Sequence, residues 1–100
     1  MNMIINTVIQ EKQRIDYMIE HYSDALRDLP RGSLYERKVK DKTYYYLKYR
    51  EGDKVVSKYV PADKVDVVRE QIERRRHTEK MLASLRKEKD LADKFLGGAV

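Results

Sequence analysis

The chain has no cysteine, no tryptophan, one phenylalanine, two prolines, four glycines and two histidines among its 100 residues. Without cysteine there is neither a disulfide framework nor a thiolate metal site. His21 and His77 each fall on a predicted helix with no second histidine or cysteine three or four residues away, so a metal site would have to be built from scattered carboxylates, and no metal and no cofactor is expected. The few glycines form no phosphate-cradling loop, and Ser23, Ser33, Ser57 and Ser84 carry no signature of an activated nucleophile. A non-catalytic protein is expected. No apolar run approaches the roughly 18 residues of a membrane span. The opening MNMIINTVIQ lacks the basic n-region and cleavage pattern of a signal peptide, so a cytoplasmic protein without a membrane partner is expected.

What the chain does have is charge and helical pattern. Charged residues make up 39% and the mean hydropathy is −0.81. The apolar positions are nonetheless strongly periodic, which argues for helices with solvated faces rather than disorder. A length of 100 residues bounds the chain to a single domain, 1–100.

From residue 2 to 29 the positions Ile4, Ile5, Val8, Ile15, Met18, Ile19, Tyr22, Ala25, Leu26 and Leu29 recur at helical spacing. A capping box beginning at Thr7 offers a later start, but Ile4 and Ile5 continue the stripe and favour the longer helix. Pro30 and Gly32 end it, since a residue before proline is pushed out of the α region.

A second helix is predicted over 62–96, opened by Pro61 and Asp63 and unbroken until Gly97-Gly98. Val65, Val68 and Ile72 form a stripe near its start; Met81, Leu82, Leu85, Leu91, Phe95 and Leu96 form another near its end. The polar stretch from Glu73 to Lys80 between them holds no dry core and is expected to be solvated or to meet a polar partner.

The two helices are expected to pair as an antiparallel hairpin, with Leu29 near Val65 and Ile4 to Ile9 near Leu85 to Leu91. Net charges of −2 over the first thirty residues and +2 over the last forty agree with that pairing. Because the second helix offers more apolar surface than the first can cover, a coiled-coil homodimer through the helices is also expected.

Between the helices, residues 33–60 read as a three-stranded antiparallel meander, giving an α+β protein of order α-β-β-β-α. β-Branched and aromatic residues crowd Val39 to Tyr49 and Val55 to Val60, broken at Asp41-Lys42 and at Glu51-Gly52-Asp53. A two-residue loop at Asp41-Lys42 would pair Lys40 with Thr43. Leu34, Tyr45, Leu47 and Tyr49 then share one face, and Tyr35, Arg37, Val39, Tyr44, Tyr46, Lys48 and Arg50 the other. A second turn of two or four residues adds Val56 and Val60 to the first face and Val55, Ser57 and Tyr59 to the second, whereas a three-residue turn reverses those two sets. Leu47 and Tyr45 are expected to be core.

Residues 31–61 hold six of the eight tyrosines, and nine Lys and Arg against four Asp and Glu. That surplus of five equals the net charge of the whole chain, +5. Tyrosines interleaved with cations suit base stacking combined with phosphate neutralisation. The expected binding residues are Tyr35, Arg37, Tyr44, Tyr46, Lys48 and Arg50, with Lys54 and Lys58 nearby. The plain alternative is that these tyrosines pack beneath a helix with lysine stems along their edges. Arg74, Arg75 and Arg76 form a secondary basic patch, whose ordinary reading is a solvated face or ion pairs with Asp16 and Glu20 of the first helix.

The run GSLYERKVKDKTYYYLKYREGDKVVSKYV resembles the three-stranded arm-type DNA-binding domain of tyrosine recombinases, which places its sheet in the major groove. Over most of the length, the pattern LPRGSLYERKV, YYYLKYREGDKVVSKYVP and VREQIERRR is similar to a family of short prokaryotic proteins of unassigned function, often found in mobile elements. The recombinase resemblance implies nucleic-acid or nucleoprotein binding; the long helix before the sheet and the lack of a catalytic domain argue against a recombinase. The alternative expectation is a protein-interaction module of a phage or mobile element, such as an anti-CRISPR-like inhibitor of a host defence nuclease.

Overall fold

In the computed structural model, which describes residues 2–98, the order is α1 (Met3–Arg27), β1 (Ser33–Val39), β2 (Lys42–Glu51), β3 (Lys54–Val60), a 3-10 turn (Ala62–Lys64) and α2 (Val65–Gly98). This is the predicted α-β-β-β-α order, with an antiparallel sheet of order β1-β2-β3.

α1 takes the longer of the two possible starts. Asn2 caps it, its Oδ1 accepting from Ile4 N at 2.9 Å and Ile5 N at 3.4 Å, which satisfies otherwise orphaned amides. Thr7 is inside the helix, its hydroxyl donating to the Met3 carbonyl at 2.8 Å. α2 runs through both glycines to Gly98 rather than stopping at Leu96.

The chain divides into two compact units, residues 2–28 with 77–98, and residues 29–76. In the first, α1 and the later part of α2 run antiparallel. Lys12 Nζ lies 2.5 Å from Asp93 Oδ1, and Lys89 Nζ lies 2.9 Å from Asp16 Oδ1, so residue number rises on one helix as it falls on the other.

The shielded positions of α1 include an unbroken three-four repeat: Ile5, Val8, Lys12, Ile15, Ile19, Tyr22 and Leu26. Thr78, Leu82, Leu85, Lys89, Ala92 and Leu96 repeat the pattern on α2. Such spacing is the seam of a coiled coil. Ile15 and Leu82, each 2% exposed, are its driest points.

Two expectations for α2 are corrected. Leu91 and Phe95 are 67% and 44% exposed, because Ala92 and Leu96 occupy the seam positions and turn those two outward. The polar stretch is not solvated all round: Thr78 is buried at 6% exposure, a residue small enough to take a seam position and half apolar.

In the second unit, Val60, Val65 and Ile72 are the buried residues, at 6%, 5% and 6% exposure. Leu34, Tyr45, Leu47, Tyr49 and Val56 are half-buried on the sheet face shared with Val60. Leu47 and Tyr45 therefore border the core rather than fill it, a correction that follows from how little apolar surface so small a unit brings to cover them. Arg75 Nη1 donates to the Leu29 carbonyl at 2.8 Å, satisfying a backbone acceptor just beyond α1.

Both hairpin loops have two residues. The first is Lys40-Asp41, with Val39 opposite Lys42, one position earlier than the predicted Asp41-Lys42 loop. Lys40 adopts φ 56° and Gly52, the first residue of the second loop, φ 62°; two-residue hairpin turns require positive φ at that position. The shift changes pairing by two residues, so side-chain parity and the predicted faces survive.

Candidate nucleic-acid interface

Strand alternation sorts the sheet's charges. On one face lie Tyr35, Arg37, Val39, Lys42, Tyr44, Tyr46, Lys48, Arg50, Val55, Ser57 and Tyr59, all in register across the three strands. That face carries four cations and no carboxylate. The strands' carboxylates, Glu36 and Glu51, fall on the opposite face with Leu34, Leu47 and Val60. None of Arg37, Lys42, Lys48 and Arg50 is in a salt bridge among the described residues.

The tyrosines form a connected group. Tyr35, Tyr46 and Tyr59 stand opposite one another as one row across the sheet. The Tyr59 ring meets Tyr46 edge-on at 5.9 Å between centroids and Tyr44 at 6.5 Å. Lys48 Nζ sits 3.9 Å from the centre of the Tyr35 ring, a close cation–π contact. A shallow hollow of about 300 Å³ is lined by Tyr35, Arg37, Tyr46, Lys48 and Ser57. Tyr44 and Tyr46 are half-buried by their neighbours, whereas Tyr35 and Tyr59 on the outer strands are 47% and 57% exposed.

The structure thus brings together Tyr35, Arg37, Tyr44, Tyr46, Lys48 and Arg50. It does not bring Lys54 and Lys58 to them. Lys54 stands opposite Glu51, and Lys58 opposite Leu47 with its ammonium 5.7 Å from the Tyr49 ring centre, so both are on the other face. One cation and one ring of the face, Lys42 and Tyr59, were not among the candidates. Lys42 reads as a loop residue in the sequence but is the first residue of β2, and Tyr59 is the most exposed ring of the group.

Arg74, Arg75 and Arg76 do not converge, because successive residues of a helix point about 100° apart. Arg74 Nη2 bonds Glu70 Oε1 at 3.1 Å, and Arg75 caps Leu29 as described. Asp16, considered a partner for these arginines, holds Lys89 instead.

Elsewhere, His21 stacks on Tyr17 at 6.3 Å and meets the edge of Tyr22 at 5.3 Å. Among the described residues no group of three His, Cys, Asp or Glu is placed to hold a metal, and no helix is long and apolar enough to cross a membrane.

These features define the class: an α+β protein in which a three-stranded sheet, strung between two long helices, presents one cationic, tyrosine-rich face to solvent. The family model described as Domain of unknown function (DUF6788) matches residues 8–70, and the chain belongs to that family. The match takes in most of α1, the whole sheet and the start of α2. No curated protein and no solved structure matches the chain.

Proposed function

We propose that the protein binds nucleic acid, or nucleic acid held in a nucleoprotein, through the open sheet face, without carrying out chemistry on it. The observation that carries this reading is the sorting of charge: four cations and no carboxylate on the face with the exposed tyrosines, both strand carboxylates on the other. A polyanion finds neutralising charge there without a competing acid, and tyrosine rings offer stacking to any base. No Asn or Gln stands in the strands to read adenine edges, so low sequence specificity is expected.

An electrophoretic mobility series with duplex DNA, single strands and structured RNA tests the reading. Neutralisation of about four phosphates predicts a log-affinity against log-salt slope of about −3 to −4. A protein that ignores every nucleic acid at low salt contradicts it.

One observation favours a second reading. Val39 and Val55 on the same face are 44% and 63% exposed, apolar surface that suits a protein partner, for which tyrosine and arginine are the usual anchors. Capture of a protein with little salt dependence, and of no nucleic acid, selects the interaction module of a phage or mobile element, such as an inhibitor of a defence nuclease.

A further inference from the structure

We infer that the occupant of the open face is an extended single strand, its bases unstacked onto Tyr35 and Tyr59 and its phosphates held by Arg37, Lys42, Lys48 and Arg50. This rests on the nucleic-acid reading above and specifies the substrate class.

The geometry of the tyrosine row carries it. Tyr35 and Tyr59 belong to the two outer strands, at the two ends of the row through Tyr46. Two strand spacings separate them, about 10 Å. Bases stacked along one strand of a duplex are about 3.4 Å apart and cover each other's faces. Rings that far apart both reach base faces only when the chain is drawn out and its bases are separated, which a single strand does at little cost and a duplex does not. The half-buried Tyr46 between them supports Tyr59 edge-on, 5.9 Å between centroids, and so holds one platform ring in place.

The cations are arranged to match. Lys48 and Arg50 lie on one side of the row along β2, and Arg37 and Lys42 on the other, so a strand crossing the sheet along the row passes between two banks of positive charge. Lys48 already covers one face of Tyr35, leaving the opposite face of that ring for a base, with the ammonium behind it. The hollow lined by Arg37, Lys48 and Ser57 beside Tyr35 and Tyr46 has donors for one phosphate.

The test is fluorescence anisotropy with a labelled oligothymidylate and with the same oligonucleotide annealed to its complement, using the full chain. The expected result is single-strand affinity about tenfold or more above duplex affinity, with quenching of the intrinsic tyrosine emission on binding. Tyr35→Ala with Tyr59→Ala should lose about tenfold or more on the single strand and change duplex affinity little, while Tyr35→Phe with Tyr59→Phe keeps the affinity because the ring does the stacking. Equal affinity for duplex, insensitive to the alanine pair and without quenching, overturns the single-strand inference and leaves phosphate binding standing. Binding to neither probe at low salt overturns both.

Discussion

Gly32 passes so close to Lys48 that a Cβ on Gly32 would stand 2.0 Å from the Lys48 carbonyl oxygen. Gly32 also has φ 105°, a conformation that side chains rarely adopt. The turn out of α1 is thereby laid directly on the strand that carries a central cation of the open face. Gly32→Ala is expected to destabilise the fold by about 3 kcal/mol or more, from strain and overlap together. Gly52, whose Cβ would meet nothing within 4 Å, is the control, and Gly52→Ala is expected to cost only about 1–2 kcal/mol. Thermal or urea unfolding compares them; equal costs would mean that the close approach at Lys48 does not constrain the fold.

The helical seam gives a second expectation. Ile15→Ala removes a side chain 2% exposed at the centre of the seam and should cost about 2–5 kcal/mol. Val67→Ala, at a position 54% exposed, should stay within about 0.5 kcal/mol. Unfolding midpoints that fail to separate these two variants would rule out the pairing of α1 with α2 through Ile15.

The hydrogen bond and charge of Asp16 raise the pKa of Lys89 above its ordinary value. A lysine whose pKa is raised by folding contributes its stability in full below the unfolded value and loses it as pH rises through the folded one. Melting temperature should therefore fall in the alkaline range above the usual lysine pKa, and Lys89→Gln should flatten that part of the fall. An alkaline limb identical in the variant would show that the pair does not couple to folding.

Self-association is expected through the helices. Leu91, 67% exposed, and Phe95, 44% exposed, line a groove with Val8, Ile15 and Ala92. Glu11, Arg14 and Glu88 also line it, with Arg14 paired to Glu11. Sedimentation at high micromolar concentration should show a dimer, and Leu91→Glu with Phe95→Glu a monomer that remains helical. A wild-type monomer at that concentration would contradict this.

The element order was legible because Pro30-Gly32 and Pro61 separate two helical stripes from a β-rich centre, which polar breaks around Asp41 and Gly52 divide into three strands. The faces of β1 and β2 were legible too, since parity survives a loop displaced by one residue; that of β3 was not, because it turned on whether the second loop has two, three or four residues. The displacement itself was not, because Lys40, Asp41 and Lys42 are all polar and none is a glycine that marks the positive φ. That single ambiguity hid Lys42. Lys54 and Lys58 were grouped with the binding face by proximity in sequence; their parity with Val56 and Val60 places them on the far face only because the second turn has two residues, Gly52 and Asp53. The seam through Thr78, Lys12 and Lys89 was invisible to hydropathy, since a buried threonine and two part-shielded lysines stand at its positions. The greater exposure of Tyr59 than of Tyr44 and Tyr46 follows from the meander order, which makes β3 an outer strand and β2 the central one.

Oligonucleotide binding by two charge-reversal variants of equal net charge tests most directly whether one sheet face is the binding surface. Arg37→Glu with Lys42→Glu alters the open face, and Lys38→Glu with Lys58→Glu alters the opposite one. At low salt the first variant should lose binding, with a melting temperature close to the wild-type value because exposed charges contribute little to stability. The second should retain most of the wild-type affinity. Equal losses in the two variants would mean that net charge alone attracts the nucleic acid, and full binding by the open-face variant would contradict the assignment of that face.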